Sequence, residues 1–167
     1  MRSVGKGPDL LVLMGPAGAD KSTLGIALTN QTGWPFLEGD DYHPPENKRR
    51  QAEGLPLEDA DRAKWLDALV DAGNANPAPR LVLACSALTP YVQDRLISEI
   101  NRRVHFVLLL PSREDLRTRL ENRIDHFMPA SLLDDQLSAL TIPGDVIQLT
   151  PGPVEGLCRE LLAKLAG

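Results

Sequence analysis

Between positions 15 and 23 the chain reads Gly15-Pro16-Ala17-Gly18-Ala19-Asp20-Lys21-Ser22-Thr23. This is most of the pattern G-x-x-x-x-G-K-[ST], whose backbone N–H groups wrap phosphate oxygens where a strand turns into a helix. In that chemistry Lys21 reaches the outer phosphates of a nucleoside triphosphate and the Ser22 hydroxyl ligates magnesium. The pattern's second glycine is here Asp20. Glycine suits that place because phosphate approaches the backbone closely and a Cβ is unwelcome there. Aspartate adds a side chain and a negative charge, and at about 4 Å one like-charge pair costs about 1 to 4 kcal/mol. The plainer reading of the same residues is a strand-to-helix turn that binds nothing.

A second group of reactive side chains follows in Glu38-Gly39-Asp40-Asp41-Tyr42-His43. A carboxylate at the end of a strand, facing a phosphate loop, can take a proton from a hydroxyl nucleophile or hold the hydration shell of magnesium. Asp40 is the first choice for that role and Asp41 the second; the competing reading is a solvated acidic turn before a proline. Cys85 closes an apolar run and reads as a small core residue rather than a nucleophile. Trp34 and Trp65 fit packing roles, since aromatics at 4% of the chain make no base-stacking platform.

The elements that must carry these groups can be read from hydropathy. The unbroken apolar run at 10–14 predicts a strand covered on both faces. Residues 22–32 then have helical spacing up to Gly33. Further strands are expected at 34–37, 81–84, 104–110 and 146–149, and helices at 59–72, 90–101, 112–123 and 154–165. The stretch 43–57 is polar, rich in charge and proline, and expected to add little to the core. Regular alternation predicts one α/β domain over residues 1–167, a parallel sheet with helices on both faces. In such sheets ligands bind beyond the carboxyl ends of the strands, just after Met14, Leu37, Ala84 and Leu110.

Composition narrows the functional classes. Of 167 residues, 43% are hydrophobic and 25% charged, the balance of a folded globular chain and not of a disordered or collagen-like one. The net charge of -5 argues against a grip on nucleic acid, which needs the opposite excess. Two cysteines in unlike contexts suggest neither a disulfide framework nor a zinc site. No apolar run approaches the roughly 18 residues of a membrane helix, and the first ten residues lack a hydrophobic signal core. A cytoplasmic protein without a membrane partner is the expectation.

Longer blocks carry a family resemblance. Asp40-Asp41-Tyr42-His43-Pro44-Pro45-Glu46-Asn47, then Gly54-Leu55-Pro56-Leu57-Glu58-Asp59-Ala60-Asp61-Arg62 with Trp65-Leu66, resemble the signature of the gluconokinases. So do Ala84-Cys85-Ser86-Ala87-Leu88 and His126-Phe127-Met128-Pro129-Ala130-Ser131-Leu132-Leu133, in order along nearly the whole chain. The resemblance implies a P-loop fold like that of the nucleoside-monophosphate kinases, with a five-stranded parallel sheet and a mobile lid near residues 113–135. It implies transfer of the γ-phosphate of ATP, with Mg2+, to the 6-hydroxyl of gluconate. It places Asp40, His43, Arg50, Ser86 and His126 at the sugar acid, and Arg119, Arg123 and His126 in the lid. Lys21, Asp40 and Arg123 are then the catalytic set, and Gly15 through Thr23 with Arg119 and Arg123 the ATP site. A homodimer is the assembly implied, although the sequence shows no interface pattern. The chemistry is coherent, because Arg113, Arg117, Arg119 and Arg123 on one segment could neutralise a transferring phosphoryl group and help exclude water. The alternative is a solvated charged helix face stabilised by Glu114, Asp115 and Glu121.

The chain also departs from the family. Besides Asp20, Thr89 stands where lysine is usual, and Gln93 replaces the arginine of a tyrosine-arginine-aspartate triplet. Asp125 replaces a glycine and Thr141 a common glutamate. Fewer cations and more anions around two anionic ligands predict weaker binding, each lost charged hydrogen bond being worth about 1.5 to 3 kcal/mol. Two competing readings follow from this. One is a catalytically silent relative that binds a ligand or partner. The other is a kinase of the same chemistry acting on shikimate or a nucleotide, against which the block His43-Pro44-Pro45-Glu46-Asn47 argues.

Overall fold

The computed structural model describes residues 8–122 and 130–166. Its sheet is built from β1 (Asp9–Met14), β2 (Phe36–Glu38), β3 (Arg80–Ala84), β4 (Arg103–Leu108) and β5 (Val146–Gln148), all parallel in the order β2-β3-β1-β4-β5. The helices are α1 (Lys21–Thr32), α2 (Pro45–Ala52), α3 (Asp59–Ala75), α4 (Pro90–Glu99), α5 (Arg113–Glu121), α6 (Ala130–Ala139) and α7 (Val154–Ala166). The α/β architecture expected from the alternation is the one observed.

β1 explains its own sequence. It is the central strand, paired on one edge with β3 and on the other with β4, and all its residues are buried. Alternate side chains go to opposite faces. Leu10, Val12 and Met14 join Trp65, Leu66 and Leu69 of α3 and Val92 and Leu96 of α4 in one core. Leu11 and Leu13 join Leu24 and Leu28 of α1, Leu116 and Leu120 of α5, and Leu157 and Leu161 of α7 in the other. With two faces to cover, no polar residue is admitted to the middle of the run.

α1 leaves β1 on one face of the sheet and α4 leaves the neighbouring β3 on the other. The carboxyl ends of these two strands therefore open into a crevice, the usual ligand position in such sheets. Gly15 N–H donates across it to the Ser86 carbonyl at 3.2 Å.

Two segments differ from the sequence expectation. Part of the polar stretch 43–57 forms α2, started by prolines that preset helical φ and need no N–H partner. Its eight residues have almost no apolar face, and Asn47 is its buried residue. Such a helix is held by its neighbours, so no periodicity announces it. α6 was likewise not anticipated; Leu132 and Leu133 bury it against the rest of the molecule.

Candidate active site

The phosphate loop begins with a backbone that only glycine accepts. Gly15 has φ of 147°, and a Cβ there would lie 2.3 Å from the Leu109 carbonyl oxygen. The chain then turns through Gly18 into α1, whose first-turn N–H groups have no partner within the helix. Lys21 folds its ammonium back over this turn, donating to the Gly15 and Pro16 carbonyls at 2.9 Å each. Ala17 N–H donates to Oε1 of Gln136 on α6 at 2.8 Å.

Asp20 adopts the left-handed conformation of the glycine it replaces, φ 70° and ψ 29°. Aspartate is among the few residues with a Cβ that visit this region. Its carboxylate makes no cap hydrogen bond to α1. It pairs instead with Nη1 of Arg119 on α5 at 2.9 Å, and the same nitrogen donates to the Gly18 carbonyl at 3.0 Å. The extra negative charge in the loop is thus matched by a cation from the segment read as a lid. This changes the energetics expected from the sequence. A half-exposed pair of this kind is worth well below the buried limit, about 0 to 1 kcal/mol.

Ser22 donates its hydroxyl hydrogen to the carboxylate of Glu38, the last residue of β2. Burial raises the Glu38 pKa above the ordinary value, opposed by the Ser22 hydrogen bond and reinforced by the charge of Asp40. Glu38 thus joins Asp40 and Asp41 as a candidate carboxylate that the sequence alone does not single out. The signal that could have found it is its place at the carboxyl end of the second strand, level with the phosphate loop. The exposed carboxylate of Asp40 acts electrostatically on Glu38, His43 and Cys85. Asp40 is exposed on the 3-10 turn that follows β2 and does not wall the neighbouring cavity.

Beside this cluster lies a cavity of about 200 Å³, walled by His43, Arg62, Trp65, Ser86, Thr89 and Gln136 among others. Ligand pockets for drug-sized molecules begin near 300 Å³, so this one suits a small acceptor and not a second nucleotide. His43 stacks on Trp65 with ring centroids 4.3 Å apart and planes 9° from parallel. Trp65 Nε1–H in turn donates to the Gly39 carbonyl at 2.8 Å. Asn47 Nδ2 lies 3.1 Å from His43 Nδ1 and 2.7 Å from the Asp61 carbonyl. An amide donor facing Nδ1 assigns the ring proton to Nε2.

Burial holds the His43 imidazole down to about 4, against the pull of Asp40, so the ring is neutral at physiological pH. The unfolded chain, with an ordinary value of 6.5, takes up a proton that the folded ring refuses. Stability is therefore lost as pH falls from about 6.5 to about 4. Replacing His43 by Gln is expected to flatten that limb by on the order of 2 to 3 kcal/mol, read as the difference in unfolding free energy between about pH 7.5 and 4.5. Parallel curves for the two proteins would refute the assignment.

Arg50 does not wall the cavity. Its guanidinium donates to the Pro56 carbonyl at 3.1 Å and lies 3.6 Å from Asp61. Arg62 lines the cavity in its stead, 3.5 Å from Asp59, with its pKa lowered mainly by burial. Of the departures, Thr89 lines the cavity but Gln93 does not. Gln93 is buried and its Nε2 donates to the Ala87 carbonyl at 2.9 Å and the Thr141 carbonyl at 2.7 Å. It braces Ala87, which holds a positive φ of 48°, and so ties two departing positions together without touching a ligand. Cys85 is buried and its thiol is pushed up to about 12, as a core residue should be. Thr23 is exposed on α1, and Arg123, Asp125 and His126 lie outside the described residues.

Phosphate loop, strand-end carboxylates and a small cavity with a partly buried cation are the parts of a small-molecule kinase. Over 144 residues the chain is 41% identical to a gluconokinase of Gluconobacter oxydans (strain 621H), covering 85% of this chain and 80% of that relative. The chain belongs to the gluconokinase family. The thermoresistant gluconokinase of Escherichia coli (strain K12) is 36% identical over 160 residues, 92% of this chain and 91% of that one. The crystal structure of a gluconokinase from Sinorhizobium meliloti 1021 superposes with a TM-score of 0.83 at 38% identity, covering 99% and 94% of the two chains. No family model matches the chain. The resemblance carried by the sequence blocks is thus borne out, and with it the P-loop kinase fold. Among the described residues no helix is long and apolar enough to cross a membrane. Within this gluconokinase framework Asp20 holds a left-handed backbone that glycine readily takes, and adds a carboxylate paired with Arg119.

Proposed function

We propose that the protein transfers the γ-phosphoryl group of ATP to the 6-hydroxyl of D-gluconate, giving 6-phosphogluconate. The observation that carries this reading is the junction of the phosphate loop, through Gln136, with a small cavity that contains Arg62 among largely apolar walls. A sugar acid is a polyol with one carboxylate, and the cavity offers the cation of Arg62 with the hydrogen-bonding groups of His43, Ser86, Thr89 and Gln136, the exposed carboxylate of Asp135 standing at its edge. Arg62 pairs with the carboxylate. His43 Nε2–H, Ser86 and Thr89 supply partners for hydroxyls.

The triphosphate lies along the loop, with Lys21 neutralising its outer oxygens. Ser22 and Glu38 offer hard oxygen donors in direct contact, a set that fits Mg2+ rather than a softer metal. When bound, magnesium neutralises charge shared between the phosphates. Asp40 accepts the proton of the attacking hydroxyl as its oxygen closes on phosphorus. Arg119, with Arg123 and His126 of a lid spanning about residues 113–135, completes the cationic surround and limits access of water. The family resemblance further supports a homodimer acting in the cytoplasm.

A coupled assay with ATP, Mg2+ and a panel of sugar acids tests the proposal: turnover is expected with gluconate, and none on any acid would refute it. The silent-relative reading, motivated by Asp20, requires that outcome together with no ATP binding. Pairing of Asp20 with Arg119 weakens its premise. Replacing Asp20 by Gly should tighten binding of a non-hydrolysable ATP analogue about fivefold at low salt, because one screened like charge is removed. Titration calorimetry measures this, and unchanged or weaker binding would show that Asp20 itself serves the nucleotide. Replacing Arg62 by Met should raise KM for the sugar acid by about 10- to 100-fold and leave KM for ATP nearly unchanged. Equal effects on both substrates would remove Arg62 from the carboxylate.

A further inference from the structure

Gln136 stands at the boundary between the two substrate sites. It sits on α6, well after the phosphate loop in sequence, yet its Oε1 accepts from Ala17 N–H at 2.8 Å. The same residue lines the acceptor cavity with His43, Arg62 and Ser86. A backbone N–H can be met only by an acceptor, so the bond fixes which end of the carboxamide is oxygen. The two Nε2–H donors then belong to a group held at a set distance from the loop that carries the phosphates. A group tied to the donor side and exposed to the acceptor side can fix the relative position of the two reacting molecules. That is where positioning has its largest effect on rate.

We propose that Gln136 is the positioning residue that sets the acceptor against the phosphate loop. Ala17 N–H anchors Oε1, and Nε2 donates to an oxygen of a polyhydroxy carboxylate in the cavity. The inference rests on the sugar-acid kinase reading above. It also explains why a neutral amide serves here. A carboxylate at this place would keep the bond from Ala17 N–H but repel an anionic acceptor and offer it no donor. An apolar side chain would lose both contacts.

The two variants Gln136→Glu and Gln136→Met separate positioning from mere bracing of the loop. If Gln136 positions the acceptor, both variants raise KM for gluconate about tenfold or more and lower kcat. Both then leave the dissociation constant of a non-hydrolysable ATP analogue within about twofold and keep a cooperative thermal transition. The factor corresponds to the loss of one hydrogen bond of ordinary strength or somewhat more. If Gln136 only braces the loop, Glu behaves as the unaltered protein and Met weakens the nucleotide; that pattern overturns the proposal. So does an unchanged KM for gluconate in both variants while the unaltered protein is active. Failure of the unaltered protein on every sugar acid is a different result, which overturns the functional reading and this inference with it.

Discussion

Asp40→Asn is expected to lower kcat by about 10²- to 10⁴-fold, the usual contribution of a positioned general base. The exchange is nearly isosteric and removes the negative charge together with the proton-accepting capacity. Asp40 is exposed and its carboxylate is part of no hydrophobic core, so folding should be untouched. Its backbone N–H lies 3.5 Å from Glu38 Oε1, a contact that the amide variant retains. Binding of ATP should be close to normal, because in the proposed mechanism Asp40 serves the acceptor hydroxyl. Asp41→Asn is the control. Asp41 follows Asp40 in the same 3-10 turn and has no part in the proposed mechanism, so its replacement should change kcat less than about threefold. Steady-state kinetics on the two variants decide between the neighbours. A loss under tenfold for Asp40→Asn, or equal losses for both, would move the base elsewhere, with Glu38 the next carboxylate in line.

Lys21→Met should cost at least about 10³-fold in kcat/KM, comparable to removing a cationic group that stabilises phosphoryl transfer. In the free protein the ammonium bridges the Gly15 and Pro16 carbonyls, 2.9 Å from each. In the proposed mechanism it has two tasks: it ties down the turn of the loop, and it meets the charge that spreads over the transferring group. Methionine keeps the length and apolar stem and loses both. The fold should survive, with a loss of about 1 to 2 kcal/mol for two hydrogen bonds of ordinary net strength. Thermal unfolding checks that part and single-turnover kinetics the other. Retention of more than a tenth of the activity would show that Arg119 or another cation carries the charge.

The large effects fall on residues that the sequence already singled out, and there is a reason for this. The roles proposed for Lys21 and Asp40 rest on their own functional groups at positions set by short-range geometry, a turn after β1 and a turn after β2. Residues whose role depends on a partner elsewhere were harder to find. Glu38 became visible through the hydroxyl of Ser22. Arg62 was quoted as part of a family block, yet its role required knowing that Arg50, the cation first assigned to the sugar acid, is occupied by Pro56 and Asp61. Gln93 read as a missing cation until its amide was seen to brace two carbonyls in the interior.

Hydropathy and local chemistry settle the architecture of this chain. Continuous apolar runs must be buried on both faces, helical spacing must cover them, and strand ends followed by glycine, lysine and carboxylates must face one crevice. Those rules act over a few residues and need no knowledge of the rest. The state of Asp20 is another matter. Read along the chain, it is an anion in an anion-binding loop; in three dimensions, α5 brings Arg119 to its carboxylate at 2.9 Å. The approach of Gln136 to Ala17, 119 residues apart, has the same origin. Coulombic and hydrogen-bond energies depend on distance through space, which sequence separation does not encode, so only the folded chain could pair these groups.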